Sequence, residues 1–137
     1  MLTLLIILVS CTTENIDNAL EKPKPILNAW FKPLSGGGVV FYDLPDDESI
    51  HFVKAEYVLN TGKVISRASS FFSDSIVIDG YNDNNEHEVK LFSVNFDGET
   101  SDPYILKIKT LGSPLNEIVK TFTITPSFSS AKLSWNN

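Results

Sequence analysis

The stretch His87-Glu88-Val89-Lys90-Leu91-Phe92-Ser93-Val94-Asn95-Phe96-Asp97-Gly98-Glu99-Thr100-Ser101-Asp102-Pro103 decides the fold. His87, Val89, Leu91 and Ser93 alternate with Glu88, Lys90, Phe92 and Val94. A period of two is the mark of a strand with one buried face. Asn95-Phe96-Asp97-Gly98 supplies turn chemistry, and Asp102-Pro103 opens a second alternating run at 104–109. The stretch is therefore a β-hairpin, and the runs around it need its apolar face to complete a core.

Working outward towards the N-terminus, residues 75–79 place Ile76 and Ile78 on one face of a short strand. Residues 52–59 alternate, with Val53, Ala55, Tyr57 and Leu59 on one side, and Asn60-Thr61-Gly62 turns them into a strand at 63–68. Residues 39–44 form a strand ended by Pro45 and the acidic run Asp46-Asp47-Glu48; residues 26–32, with Trp30 and Phe31, form the first strand. Ser35-Gly36-Gly37-Gly38 joins these two as a turn; it lacks the Lys-Ser/Thr and the helix of a phosphate loop. Seven strands with turn signals every 8–12 residues or so predict an all-β, seven-stranded Greek-key sandwich of the immunoglobulin-like class over residues 26–111.

Composition bounds the function. The chain has 137 residues, of which 42% are apolar, enough for about one domain with a real core. Its net charge of −6 excludes the basic surface that a nucleic-acid backbone demands. One cysteine, Cys11, rules out an intrachain disulfide.

The first eleven residues are apolar apart from Thr3 and Ser10 until Cys11, and are too short to span a bilayer. They suit the apolar region of a signal peptide. Leu8-Val9-Ser10-Cys11 resembles the lipobox of bacterial lipoproteins, in which the cysteine is lipidated and becomes the first residue. The basic region that precedes such a segment is missing, which places the expected start upstream of Met1. On this reading residues 12–25, polar and ending in Lys22-Pro23-Lys24-Pro25, are a linker. The protein is then lipid-anchored at the outer membrane or cell surface. Glu14 and Asp17 resemble a surface-export signal, and a solvated linker reads the same way.

The body resembles a fibronectin type III domain. Tyr42 and Pro45 hold the places of that family's Trp and Pro, and Tyr81 and His87 those of its crossing-loop Leu and corner Tyr. Asn95-x-x-Gly98-x-x-Ser101-x-Pro103 is similar to its last hairpin, with the Ser moved by one. The resemblance implies that His87, as a neutral imidazole, can donate a hydrogen bond to upstream backbone as a corner tyrosine would; a half-exposed histidine with no role is the alternative reading. More narrowly, Gly36-Gly37-x-x-x-x-Tyr42-Asp43-Leu44-Pro45-Asp46-Asp47, with Phe71-Phe72-Ser73-Asp74-Ser75-Ile76, resembles an uncharacterised family at the N-terminus of Bacteroidota lipoproteins, often ahead of immunoglobulin-like and discoidin-type domains. That company implies glycan capture or partner docking.

Beyond residue 111, Ser113-Pro114 starts a helical turn with Leu115, Ile118, Val119 and Phe122 at helical spacing, followed by a strand at 121–125. Ala131-Lys132-Leu133-Ser134-Trp135 repeats the pattern of residues 38–42. Residues 112–137 thus read as the start of a second, truncated immunoglobulin-like domain, or as a tail docked on the first.

No catalytic motif is visible. His51 and His87 sit on different strands, no metal-ligand spacing occurs, and no cofactor is implied. Asp43, Asp46, Asp47 and Glu48 share one pole of such a sandwich with Asp97, Glu99 and Asp102; they read as a Ca²⁺ cluster or a solvated acidic rim. The functional candidate is a surface. With Val89, Leu91 and Ser93 inward, Phe52, Val58, Phe92, Val94 and Ile105 fall on the outer face as an apolar patch crossed by lysines. A purely structural spacer is the alternative.

Overall fold

The computed structural model describes residues 21–135. The leader and lipobox at 1–11, with Cys11, lie outside the described residues, as do linker residues 12–20. In chain order the strands are β1 (Asn28–Leu34), β2 (Gly37–Asp43), β3 (Ile50–Val58), β4 (Val64–Ser70), β5 (Ser75–Asp79), β6 (Glu86–Asn95) and β7 (Tyr104–Lys109). Helix α1 (Pro114–Thr121) follows, then β8 (Thr123–Ser127) and β9 (Ser130–Ser134).

Two antiparallel sheets make the sandwich, one in the order β1-β2-β5 and the other β4-β3-β6-β7. Alternation decides which side chains lie between them. Val40 and Tyr42 of β2, Ile76 and Ile78 of β5, Val53, Ala55 and Tyr57 of β3, Val89 and Leu91 of β6 and Ile108 of β7 form one buried cluster. Tyr42 sits where its ring completes this layer, and its hydroxyl donates to the Ser73 carbonyl at 3.1 Å. A buried tyrosine needs such an acceptor for its polar end.

The Ser35–Gly38 stretch is fixed by space. A Cβ at Gly37 would collide with the Ile78 carbonyl, and one at Gly38 with the Phe31 ring and the Lys32 carbonyl oxygen. Gly36 supplies the positive φ of 77° that turns β1 into β2.

Two expectations are corrected. Val94, expected on the outer face, is 3% exposed. It lies opposite Phe52 on β3 and is bridged on its other side to Thr100, so the loop after β6 folds back beside it. Ser93, Val94 and Asn95 are therefore buried in succession, and the alternation ends there. His87 does not donate to upstream backbone as a corner tyrosine would. Its Nε2 meets Asp83 Oδ1 at 2.7 Å, and Tyr81, stacked on the imidazole at 4.0 Å, donates its hydroxyl to the Val58 carbonyl at 3.3 Å. The corner's hydrogen bond has passed to the neighbouring tyrosine.

Ser113 caps α1, its hydroxyl accepting from the Leu115 amide at 3.3 Å. In the β8–β9 hairpin Ile124 faces Leu133 and Pro126 faces Ala131, while Thr125 faces Lys132. The hairpin thus has one apolar and one polar face, as in a sandwich strand pair. Among the described residues, no helix is long and apolar enough to cross a membrane.

Candidate functional site

Antiparallel order brings three loops to one end of the sandwich: 44–49 between β2 and β3, 71–74 between β4 and β5, and 96–103 between β6 and β7. Between them is an open hollow of about 530 Å³, walled by Ile50, His51, Phe52, Phe71, Phe72 and Phe96, with Glu48 and Ser70 as further polar members. That volume lies within the range of roughly 300–1,000 Å³ usual for ligand sites.

Local chemistry sets each ring in place. The β3–β6 register shifts between Ile50 and Phe52, a bulge that lets the consecutive His51 and Phe52 both wall the hollow. The His51 carbonyl accepts the Phe71 amide at 3.3 Å, tying the β4–β5 turn to β3. That turn closes with Ser73 N–H donating to the Ser70 carbonyl at 2.9 Å, and the Ser70 hydroxyl accepts the Phe72 amide at 3.3 Å. Across the hollow, buried Asn95 accepts from the amides of Asp97 at 3.1 Å and Glu99 at 2.8 Å through Oδ1. This local turn leaves Phe96 projecting outward.

The rings form contacts of their own. His51 stacks on Phe96 with centroids 4.6 Å apart and meets Phe52 edge-on at 5.5 Å; Phe71 meets Phe72 edge-on at 5.7 Å. Even so, Phe72 is 96% exposed and Phe96 70%. Large side chains held in turns and left in water are the observation that calls for a function.

The expected outer-face patch is only partly assembled. Val58 and Ile105 are exposed, Phe52 and Phe92 are half-buried, and Val94 is buried. Lys54 lies over the Phe92 ring at 4.9 Å from its centroid and pairs with Glu56 at 3.0 Å, while Glu56 stands opposite Lys90 on β6. These charges separate Val58 from Phe92, and Phe52 belongs instead with the rings at the end of the sandwich. His51, Phe71, Phe72 and Phe96 were not singled out by the strand pattern. For the three phenylalanines the signal is aromatic residues inside turn sequences, Phe71-Phe72 before Ser73-Asp74 and Phe96 within Asn95-Phe96-Asp97-Gly98, where alternation gives no inward position; His51 lies in β3 at the bulge.

The acidic loops are engaged locally. Asp47 accepts from the Lys24 amide at 2.8 Å and from the Ser49 hydroxyl at 2.7 Å, and these bonds hold its carboxyl below the usual range. Among the described residues, no three His, Cys, Asp or Glu side chains come together as a metal site. On the opposite side, Arg67 bonds Asp79 at 2.7 Å across the gap between β4 and β5, lowering the Asp79 carboxyl.

The family model described as Domain of unknown function (DUF4959) matches residues 23–110. No curated protein matches the sequence. Among solved structures, a two-domain fibronectin type III segment of chicken tenascin is similar at a TM-score of 0.54 and 21% identity, covering 84% of this chain and 62% of that one. A structure entitled as a myokine is similar at a TM-score of 0.53 and 16% identity, covering 66% of this chain and 98% of that one. A redesigned β-sandwich protein is similar at 0.54 and 16%, over 66% of this chain and 91% of its own. Single-domain neighbours thus match the sandwich, and the tenascin pair extends further along the chain.

Proposed function

The chain belongs to the DUF4959 family, and from that premise we propose that it is a non-catalytic interaction module of a lipid-anchored cell-surface protein, which holds its ligand at the aromatic end of the sandwich. The observation that carries this reading is the pair Phe72 and Phe96, 96% and 70% exposed on either side of one hollow. Neither ring belongs to the buried cluster that joins the sheets. Exposed aromatic residues beside a concavity mark binding surfaces more often than accidents of folding.

The anchor would come from Cys11, with residues 12–20 as the tether, since Lys22 and Lys24 are held on the domain by Asp102 and Asp47. Glycan capture is favoured by the exposed Phe72 ring and by the Phe96 face turned away from His51, which could stack on the apolar face of a sugar. A spacer role is favoured by the similarity to a tandem fibronectin pair and by the bare apolar face of the β8–β9 hairpin, which suits the opening strands of a second sandwich.

Wild type and the Phe72→Ser/Phe96→Ser double variant should be compared on an array of oligosaccharides and short peptides. The module reading predicts ligands retained by the wild type and lost by the variant. An array that fails to distinguish the two proteins would leave the spacer.

A further inference from the structure

Ring faces carry negative quadrupole charge and attract cations, Arg and Lys above all. The hollow presents such faces on Phe72 and Phe96, and its wall includes the carboxylate of Glu48. The three loops around it add Asp46, Asp47, Asp74, Asp97 and Glu99. Two lysines stand nearby, and both are turned to acceptors of the same end: Lys24 Nζ to the Asp46 carbonyl at 3.0 Å and Lys22 Nζ to Asp102 at 3.7 Å. Asp47 and Asp97 line a neighbouring hollow with those lysines, so the loops carry a net negative charge and Glu48 is the acid of the apolar wall itself. The chain itself shows the pairing that such a wall accepts, with Lys54 Nζ 4.9 Å above the Phe92 ring on the adjoining face.

We propose that this hollow docks a protein segment bearing an arginine or lysine beside an apolar side chain, with Phe72 and Phe96 clasping the side chains and Glu48 meeting the charge. The inference rests on the interaction-module reading and names its partner's chemistry. An anionic partner would meet repulsion from all three loops. A glycan would meet few hydrogen-bonding groups, since Glu48, His51 and Ser70 are the polar side chains of the wall.

The test is a calorimetric titration of the full chain with acetyl-Gly-Arg-Leu-Arg-Gly-amide, with acetyl-Gly-Glu-Leu-Glu-Gly-amide and with a neutral oligosaccharide. The basic peptide should bind about tenfold more tightly than the acidic one. Its affinity should fall severalfold as salt rises from about 0.05 to about 0.5 M, because screening shortens the reach of the loops' charge. Phe72→Ala/Phe96→Ala should abolish binding, and Glu48→Gln should weaken it with the rings intact. Equal affinity for the two peptides, or no binding of either, would overturn the proposal. If the oligosaccharide binds and the peptides do not, the module reading stands and this partner falls. If the array above also fails to separate wild type from variant, both fall.

Discussion

Asp83 gathers three parts of the fold. Its carboxylate meets His87 Nε2 on β6 and accepts from the Asn60 side chain after β3, while its carbonyl accepts the Thr110 hydroxyl beyond β7 at 2.7 Å. The His87 ring first, with the Asn85 amide and Asn60, holds its carboxyl down to about 2, against an ordinary 3.8. A carboxyl lowered on folding adds stability that is present above its unfolded value and lost as pH falls through the folded one. The contribution should thus be whole above about pH 4 and fade towards about pH 2. In acid titrations of stability, wild type should exceed Asp83→Asn at neutral pH and converge on it by the acid end. Curves that stay parallel throughout would show that the carboxylate is not held in this way. At Tyr42, which is 2% exposed, the prediction is one of packing. Tyr42→Ala should cost about 3–5 kcal/mol, the range for truncating a large core aromatic. A denaturant titration that finds under about 1 kcal/mol would place the ring outside the core.

Strand β6 tests the register. Leu91 is fully buried while Phe92, its neighbour, is half-buried beneath Lys54. Leu91→Ser should cost several kcal/mol, by cavity and buried hydroxyl together, and Phe92→Ser about 1 kcal/mol. The reverse order in denaturant titrations would mean that the strand is turned over. At the start of β2, Gly37→Ala drives a methyl into the Ile78 carbonyl of β5, a backbone atom that cannot swing away. A cost of about 1–3 kcal/mol is expected, of the kind seen when a packed core is overfilled; a neutral melting curve would contradict it. The strands were legible in the sequence because burial on one face imposes a period of two, and this held for Val53, Ala55, Tyr57, Val89 and Leu91. Val94 was not legible: the loop after β6 returns beside it and bridges it at Thr100, and no local pattern encodes a loop's return path.

At the scale of the molecule, the sandwich is what the alternating runs predict, and its structural neighbours are fibronectin type III domains. The aromatic end was less legible. Phe52 was found as an outer-face residue, but Phe71, Phe72 and Phe96 lie in turns, and their meeting depends on three loops converging from separate strand pairs. The anchor belongs to this scale too: if Cys11 is lipidated, Cys11→Ala should move the protein from the membrane fraction to the soluble one. A variant that stays with membranes would remove the lipoprotein reading. The central claim is that the rings at this end serve a ligand and not the fold. The melting temperature of Phe72→Ser/Phe96→Ser, measured beside that of Tyr42→Ala, tests it most directly. The account predicts a shift of no more than about 2 °C for the double variant, against a fall of roughly 10 °C or more for Tyr42→Ala. Comparable falls in both would contradict it, because the rings would then be part of what holds the sheets together.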